Sequence, residues 1–567
     1  PFLFGSGPSL RGQPRSLARG RPSGAPGGPP TRSGSAMAAS RRPRLLLALL
    51  CPGLGAAGIV GDGHFPIVYV VYGPGGLPVA RAVVPAGEAC PALSPPDVVG
   101  AQVRLRAEGT DAMPFAFPVR VCEVELPRDL PANSLSFGGK ALPATTSRPS
   151  SFVLIGDTGM RTKGKNLGTC TKFSHEKLYG ITQCAETVPF NASLIKGEYQ
   201  AMADWPLESI MDRAAAEHPD VVVHVGDYLY RQSPCAQGMG CEAINNVTHV
   251  SVPGDWGDNW KGWYADFFEP SASLLSAAPW IALRGNHESC GRGGHGYFLF
   301  LDPRPLPMNW TGDYCPERTD AYAVTFEGEQ FLVIDDNFID DLRIDGDCPA
   351  HGGADQGKAQ HQSRYDDPAQ NKDHISEEVD YFAGQFQKLE ELSKTHATNF
   401  YLGHHPLLNV GCHKQQYVAA DWTLQTALAR NPAALSRVSA TITGHVHMFQ
   451  GLVFENYALP VSLLVGNGGT LLQETRPVSA DAVDGLEVFG GAKVESSFTM
   501  GGVFGFSAMT RSPEGGGFRV RSVQAGNDGL EASDVWTTTV PAERGVRRLQ
   551  AEGRAEGASS GAPLFFA

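Results

Sequence analysis

Five short apolar runs in this chain each lead into a glycine that is followed by a side chain able to bind a metal ion. Their Val, Ile, Leu and Phe content predicts buried β-strands. Open α/β sheets bind their ligands at the carboxyl ends of strands, and a glycine there lets the backbone turn sharply. The five motifs are Gly156-Asp157-Thr158-Gly159, Gly226-Asp227-Tyr228-Leu229-Tyr230, Gly285-Asn286-His287-Glu288, Gly403-His404-His405-Pro406 and Gly444-His445-Val446-His447. The pattern therefore predicts an α/β fold whose strand ends converge on one site.

The segments between these strands favour helices. The chain reads as helical around 206–217 and 263–275, and apolar residues recur every three or four positions over 375–389. Such spacing is typical of an amphipathic helix with one buried face. Upstream, residues 63–126 contain three β-like runs separated by Gly and Pro, which indicates a small β-rich module. The Pro- and Ser-rich residues 127–150 are interpreted as a linker, and 151–540 as the catalytic domain.

The side chains at the strand ends share one kind of chemistry. Carboxylate, imidazole, amide oxygen and phenolate suit first-row transition metals and zinc, and no soft thiolate stands among them. Two such ions about 3.5–4 Å apart can clamp a phosphoryl group and generate a hydroxide. A pair of cations needs a shared carboxylate to hold them close against their repulsion. Each motif alone is easily met by chance, whereas all five in this order predict a two-metal site.

In their order and spacing the five motifs resemble those of the calcineurin-like metallophosphoesterases, and among these the purple acid phosphatases, over roughly residues 151–470. The resemblance implies an αββα sandwich of two mixed sheets flanked by helices, preceded here by the small N-terminal β module. It also implies that Asp227 bridges the two metals. Asp157, Tyr230 and His447 would complete one metal site, and Asn286, His404 and His445 the other.

One departure separates subfamilies. Many metallophosphoesterases open with a D-x-H motif, but the third position here is Gly159. Tyr230, three residues after Asp227, can replace the missing imidazole with a hard, anionic phenolate that favours Fe(III). The resemblance to purple acid phosphatases thus implies Fe(III) with a second Fe, Zn or Mn ion. The alternative is that Tyr230 only packs over the edge of the sheet.

Two further histidines are candidates for catalysis. His287, beside Asn286, would face the substrate and act as a general acid or as a hydrogen-bond donor to the leaving oxygen. His413 lies nine residues after His404, where the resemblance places a substrate-facing histidine, although Cys412 stands where related phosphatases tend to have Glu. Arg161 either contacts phosphate or is a surface residue. His224, flanked by valines, is interpreted as a core histidine.

The implied reaction is hydrolysis of phosphomonoesters by attack of a metal-bound hydroxide, as in acid phosphatases. Two alternatives remain open at this point. The same metals serve phosphodiesterases and nucleotide pyrophosphatases, whose substrate choice depends on loops such as 160–200 and 231–262. A non-catalytic extracellular binding protein could also be built on this fold, although retention of all seven candidate ligands disfavours it.

Charge and the N-terminal segment indicate a cellular compartment. Residues 1–62 carry eight Arg and one Asp, a net charge of +7, so the remainder carries −20 of the total of −13. An acidic body gives no general attraction for nucleic acid, and the expected partner is a small phosphorylated substrate. Met37, three nearby arginines and a short leucine-rich run predict a signal peptide over 37–58, after a disordered leader, and no membrane span. The end, 541–567, is expected to be a flexible tail.

Cysteines and glycosylation sequons are consistent with export. Ten cysteines remain beyond Cys51 of the predicted signal, and an even number points to disulfides, with Cys235 and Cys241 as plausible partners. Thiolate metal binding is the weaker alternative, because the chain has no C-x-x-C pair. Sequons begin at Asn191, Asn246 and Asn309. A secreted or secretory-pathway glycoprotein is therefore expected.

Overall fold

Two β-sheets pack face to face in the computed structural model of the protein, and helices cover the outer face of each. The structure describes residues 65–96, 102–109, 116–164, 197–245, 254–306, 315–339, 372–413, 416–419, 422–472, 483–513, 517–525 and 533–542. The predicted leader, signal peptide and three sequons lie outside the described residues, as does the predicted tail beyond residue 542. Among the described residues no helix is long and apolar enough to cross a membrane.

The first sheet has ten strands with a parallel centre. In spatial order they are β25 (Ser533–Pro541), β24 (Gly517–Gln524), β23 (Gly505–Arg511), β8 (Ser151–Ile155), β11 (Val221–His224), β12 (Trp280–Ala282), β1 (Ile67–Gly73), β2 (Leu77–Pro85), β5 (Val119–Glu125) and β4 (Arg104–Glu108). Strands β8, β11, β12 and β1 run parallel, and all other pairs are antiparallel. Three of the five motifs follow strands of this parallel centre.

The second sheet has eight strands and is also mixed. Its spatial order is β13 (Tyr322–Thr325), β14 (Glu329–Val333), β15 (Thr398–Leu402), β18 (Val438–Thr443), β20 (Val461–Val465), β19 (Phe449–Phe454), β22 (Ala492–Met500) and β21 (Glu487–Phe489). Strands β14, β15, β18 and β20 are parallel. The remaining two motifs follow β15 and β18, so both parallel centres deliver ligand candidates from their carboxyl ends.

Small strands and helices complete the described fold. The short strands are β3 (Leu93–Ser94), β6 (Ser136–Phe137) and β7 (Lys140–Ala141) in one sheet, β9 (Thr162–Gly164) with β10 (Gly197–Tyr199), and β16 (Val410–His413) with β17 (Gln416–Ala419). The α-helices are α1 (Leu207–Ala216), α2 (Trp260–Trp263), α3 (Ala272–Ala277), α4 (Gly294–Phe300), α5 (Lys372–Ser393) and α6 (Trp422–Arg430). A π-helical turn, Tyr264–Phe268, directly follows α2.

The predicted αββα layering is confirmed by how the apolar side chains are buried. Between the sheets, Phe152, Val223 and Ile281 share one core cluster with residues of the second sheet such as Phe400 and Ile442. Outer clusters pack α1 and α3 on the first sheet, and α5 and α6 on the second. Burial of each large apolar side chain is worth about 1.5–3 kcal/mol. The interior therefore holds the two sets of strand ends side by side.

The N-terminal β-rich segment does not form a sheet of its own. Strand β1 pairs in parallel with β12 through Val71 and Trp280, so β1, β2, β5 and β4 extend the first sheet. Sequence reasoning missed β2, whose central Arg81 looks solvent-exposed but is fully buried. Arg81 donates to the carbonyl oxygens of Phe300 (2.5 Å) and Asp302 (2.6 Å), at the end of α4. Arg81 Nε also forms an ion pair with Glu123 Oε2 at 3.5 Å, so a buried and paired charge breaks the apolar pattern of a core strand.

Two other segments differ from expectation. Residues 127–150, interpreted as a linker, contain β6 and β7 and the bridge between Leu130 and Thr145, so this stretch is packed. The helix expected over 263–275 is divided into α2, the π-helical turn and α3. Pro270 stands at the break and has no N–H for a helical hydrogen bond. The helices around 206–217 and 375–389 are confirmed as α1 and α5.

Candidate metal centre

Three of the candidate ligands have a left-handed backbone immediately after their strands. Asp157, Asp227 and His445 have φ angles of 57°, 63° and 72°. Such angles are uncommon outside glycine and concentrate at functional sites. The adjoining loops touch backbone to backbone: a Cβ on Gly285 would lie 2.2 Å from Asp227 Oδ1. The glycine is therefore required for the Asp227 and Asn286 loops to meet.

Three oxygens from separate side chains converge at the centre of the site. Tyr230 Oη lies 2.6 Å from Asp227 Oδ2 and 3.0 Å from Asp157 Oδ1. All three side chains are buried. Burial raises the pKa of Tyr230 well above its usual value, and the charges of Asp157 and Asp227 raise it further. A phenolate at this position therefore requires a cation nearby.

His404 presents a lone pair to the same oxygens. Its Nδ1 lies 2.8 Å from Val225 O, and because a carbonyl can only accept, Nδ1 carries the proton. In the neutral ring Nε2 is then an acceptor, yet it faces Asp227 Oδ2 at 3.2 Å and Asn286 Oδ1 at 3.1 Å. Three acceptor atoms at hydrogen-bonding distance need a shared positive charge.

The pKa values of the buried groups also indicate that this site requires a positive charge. Burial alone lowers the pKa of His404, but the charge of Asp227, with that of Asp157, raises it to about 9. Burial, reinforced by Asp227, raises the pKa of Asp157 to about 7. The site thus concentrates negative charge in a dry environment, where a proton or a metal ion is required to balance it. This donor set fits first-row transition metals.

A backbone carbonyl also fixes the tautomer of His447, whose Nε2 faces Tyr230. Its Nδ1 donates to Leu471 O at 2.8 Å, which leaves Nε2 as an acceptor 2.9 Å from Tyr230 Oη and 3.7 Å from Asp157 Oδ1. Burial lowers its pKa to about 3, and the positive charge of Arg161 contributes in the same direction. A neutral imidazole with a fixed tautomer is the form that binds metals.

The amide of Asn286 also lies at this cluster, and its two orientations suit different kinds of site. Its Oδ1 points at acceptors, 3.1 Å from His404 Nε2 and 3.4 Å from His445 Nδ1. Turned by 180°, the amide nitrogen would donate to Asp227 Oδ2 and His404 Nε2, both at 3.1 Å. The turned amide oxygen would also accept from Arg292 Nη1 at 3.1 Å, so the protein groups alone favour the turned amide, whereas coordination of a metal requires the oxygen to face inward. All seven predicted ligand side chains lie in one cluster, and within it Asp157, Asp227 and His404 each offer a ligand atom within 4.8 Å of the others, a group that could hold a metal ion.

Of the two predicted catalytic histidines, His287 lies at this cluster. Its ring is 3.7 Å from that of Tyr230, and its backbone N–H donates to Asp227 Oδ1 at 2.7 Å. Nε2 faces Arg161 Nη1 at 3.1 Å. Burial lowers the pKa of His287 well below its usual value, against the opposing charge of Asp227. His413 ends β16, but its side chain lies outside the described part of the structure.

Glu288 is a functional residue that sequence reasoning passed over. Its carboxylate accepts the backbone N–H groups of Asp227 (2.9 Å), Tyr228 (2.8 Å), Leu229 (3.1 Å) and Gly285 (3.1 Å). The side chain is fully buried, and burial together with the charge of Asp227 raises its pKa to about 8. Glu288 therefore ties two ligand loops together. Its place directly after Asn286 and His287 was the available signal.

Asp266 holds the loop of Tyr230 against Gly159. Its carboxylate accepts from the N–H groups of Tyr230 (2.8 Å) and Met160 (3.0 Å) and pairs with Arg231 Nε at 2.6 Å. A Cβ on Gly159 would lie 2.5 Å from Tyr228 O and 2.7 Å from Tyr230 N. The Tyr230 loop fills the space that a side chain at 159 would need. Nothing local in the sequence around Asp266 signalled this contact.

The interpretation of His224 as a core residue is confirmed, and so is one predicted disulfide. His224 is a core histidine: Nε2 lies 3.1 Å from Thr158 Oγ1 and Nδ1 accepts from Gly226 N at 3.2 Å. Cys235 and Cys241 form the predicted disulfide, and further bonds join Cys90 to Cys122 and Cys290 to Cys315. Asp336 supports another of the ligand loops. It accepts the N–H groups of His404 (3.0 Å) and His405 (3.0 Å).

The central part of the chain is similar to a family of known proteins. A family model described as Calcineurin-like phosphoesterase matches residues 151–449, more than half of the 567 residues and all five motifs. No curated protein matches the chain. A structure titled "Structure of PhoD" is similar at 11% identity, covering 86% of this chain and 94% of that one with a TM-score of 0.43. Another, "GAP50 the anchor in the inner membrane complex of Plasmodium", is 13% identical and covers 70% of this chain and 90% of that one, with a TM-score of 0.33.

Proposed function

This chain belongs to the calcineurin-like phosphoesterase family, and on that basis we propose that it is a secreted, acid-phosphatase-like enzyme that hydrolyses phosphomonoesters. Membership makes it a metal-dependent phosphoesterase of a family that uses a pair of metal ions. The finer assignment, to a purple acid phosphatase type, rests on the chemistry of one residue. That residue is Tyr230.

The phenol oxygen of Tyr230 carries the proposal. It lies within 3.0 Å of Asp157 Oδ1, Asp227 Oδ2 and His447 Nε2, all of which are candidate ligands of one metal. A tyrosine that merely packed over the sheet edge would not bring its oxygen to two carboxylates and an imidazole lone pair. Because a phenolate is a hard anion, this position favours Fe(III).

The remaining ligands divide in the same way. Asp157, Tyr230 and His447 would hold Fe(III), while Asn286, His404 and His445 would hold a second Fe, Zn or Mn ion, with Asp227 between the two. When bound, the metal pair supplies positive charge for the phosphoryl oxygens and lowers the pKa of water. The chain itself orients the ligands. The carbonyl oxygens of Val225 and Leu471 fix the tautomers of His404 and His447.

A histidine is proposed to protonate the alcohol as it leaves. His287 lies against Tyr230, and its Nε2 accepts from Arg161 Nη1 at 3.1 Å. Once Nε2 is released from Arg161 and has taken up a proton, that proton could pass to the leaving oxygen of a bound ester. His413 is proposed as a second substrate-facing group on its spacing from His404. Burial of both Asp227 and His287 excludes bulk water, which strengthens the electrostatic interactions in the site.

Secretion is proposed on two features. The predicted signal peptide precedes the β-strands, and three disulfides join described cysteines. Disulfides persist in oxidising compartments and are rare in the cytosol. The alternative function, that of a phosphodiesterase, uses the same metals, and the two functions differ in which ester is hydrolysed faster.

Metal analysis with a visible absorption spectrum tests the proposal directly. We expect two metals per chain and a purple Tyr–Fe(III) absorption band that disappears in Tyr230→Phe, whereas Tyr457→Phe, which alters an exposed tyrosine, keeps it. Turnover of p-nitrophenyl phosphate should exceed that of bis(p-nitrophenyl) phosphate. A colourless protein with two Zn or Mn ions would contradict the purple acid phosphatase type. A faster diester reaction would favour the phosphodiesterase.

A further inference from the structure

Arg161 has a defined place beside the metal centre. Its Nη1 is 3.1 Å from His287 Nε2, and its guanidinium carbon is 5.3 Å from the centre of the Tyr230 ring. The phenol oxygen of that ring contacts Asp157 and Asp227. The guanidinium therefore lies at Nε2 of His287, beside the residues proposed to hold the metals.

The guanidinium is held before any substrate arrives. Glu198 Oε2 accepts from Arg161 Nε (3.1 Å) and Nη2 (2.7 Å), which fixes the plane of the group and directs Nη1 towards His287. The backbone of Arg161 is bound on both sides by Gln200, whose N–H donates to Arg161 O (2.8 Å) and whose Oε1 accepts from Arg161 N (3.2 Å). The side chain is 12% exposed. A surface arginine would show neither this burial nor this double support.

A second arginine stands beside the same loop. Arg292 Nη1 donates to Asn286 O at 3.2 Å, and Asn286 directly precedes His287 in the chain. The protein as a whole carries −13, so two arginines beside this loop run against the overall charge. Positive charge next to a site attracts anions.

We propose that Arg161 binds the non-bridging oxygens of the substrate and makes the site selective for dianionic phosphomonoesters over monoanionic phosphodiesters. A neutral imidazole is a weak acceptor for a guanidinium, whereas a phosphoryl oxygen forms a shorter, charge-assisted bond. Substrate binding would thus draw Nη1 from His287 to the phosphate and leave Nε2 beside the leaving oxygen. A diester has one negative charge and a second ester group, and it gains less from each added cation. This inference rests on the proposed function and assigns the residue that sets its substrate preference.

Binding of two simple ligands tests the proposal without turnover. Calorimetry on the metal-loaded full chain would compare inorganic phosphate, largely a dianion at pH 7.5, with dimethyl phosphate, a monoanion. Arg161→Ala should weaken phosphate binding by about 10- to 100-fold and dimethyl phosphate binding by less than about 3-fold. Glu198→Gln should weaken phosphate binding less, because the guanidinium remains but is no longer held by a carboxylate.

Kinetics give the second measurement. Arg161→Ala should lower kcat/KM for p-nitrophenyl phosphate by about 10- to 100-fold and that for bis(p-nitrophenyl) phosphate by less than about 3-fold. Arg430→Ala is the matched control, because Arg430 is an arginine paired with a carboxylate, Asp380, on the surface. Metal content and the melting temperature of each variant confirm that the fold and the metal centre are intact.

The outcomes separate this inference from the proposed function. Equal losses for both substrates, or no loss for either, would overturn the role of Arg161 while leaving phosphoester hydrolysis in place. Should the wild-type protein hydrolyse neither ester with two metals bound, the proposed function fails and the substrate assignment fails with it. Tight phosphate binding in that case, still dependent on Arg161, would identify an anion site that has no catalysis.

Discussion

The two sheets contribute chemically different halves of the candidate metal centre. Loops that follow strands of the first sheet supply only oxygen donors, from Asp157, Asp227, Tyr230 and Asn286, whereas the second sheet supplies only imidazoles, from His404, His445 and His447. The oxygens concentrate negative charge, and the imidazoles supply neutral lone pairs. Neither sheet alone offers a complete coordination sphere. The site therefore exists only when the sandwich has formed, which couples metal binding to folding.

The two halves are also held differently. In the first sheet, the fully buried carboxylates of Glu288 and Asp266 accept four and three backbone N–H groups from the ligand loops. In the second, Asp336 accepts the N–H groups of His404 and His405, and a carbonyl of the first sheet, Val225 O, fixes the His404 ring. The more charged half has the denser network of supporting hydrogen bonds.

The largest expected difference is between the ligands themselves. Asp227→Asn removes the one charge proposed to be shared by both metals, so we expect loss of both metals and a fall in activity of at least about 1,000-fold, beyond the 10- to 100-fold typical for an outer partner. His404→Gln, in the second sheet, should lose one metal only. Elemental analysis and phosphatase assays measure both effects, with exposed Asp212→Asn as the control. Loss of a single metal in Asp227→Asn would show that Asp227 does not bridge.

A smaller effect is expected for the supporting carboxylates. Glu288→Gln replaces one acceptor oxygen by a donor among four backbone N–H groups, and should lower the free energy of unfolding by about 2–3 kcal/mol and metal affinity by about 10- to 100-fold. In Asp336→Asn the changed side chain faces only two backbone N–H groups, so the loss in the free energy of unfolding should be about half as large. Urea unfolding and metal titration provide the measurements. Equal costs for the two variants would contradict the difference between the sheets.

The smallest expected effect depends on pH and concerns the first sheet alone. Burial lowers the pKa of His224 from 6.5 to about 3. Between these values the unfolded chain binds a proton that the folded chain does not, so the wild type loses stability as pH falls below 6.5, and nothing is lost above it. Relative to His224→Gln, the wild-type free energy of unfolding should decrease by about 1.4 kcal/mol per pH unit below 6.5.

Urea unfolding of both proteins between pH 7.5 and 5.5 measures this change. His396→Gln is the comparison variant, because it removes a half-buried histidine far along the chain, after α5. A constant difference between wild type and His224→Gln across this range would mean that His224 does not remain neutral in the folded protein.

Much of the fold was predictable because its signals are local. Each ligand motif follows its strand within three residues, so Val221–His224 and Val438–Thr443 could be predicted together with Asp227 and His445. The amphipathic spacing of α5 was equally local. Prediction was wrong where a partner was distant. The buried strand β2 was missed because its central Arg81 looks solvent-exposed. The partners of Arg81 near residue 300 could not be identified from neighbouring residues.

The sequence by itself determined which side chains can bind metals and that each stands at a strand end, because a strand, a glycine and a ligand are specified within a few consecutive residues. The tertiary structure decided how those atoms face one another and what supports them. Asp266 meets Tyr230 across 36 residues, His287 meets Arg161 across 126, and His445 meets Asp157 across 288. Contacts at such separations depend on how the two sheets pack, which no local pattern specifies.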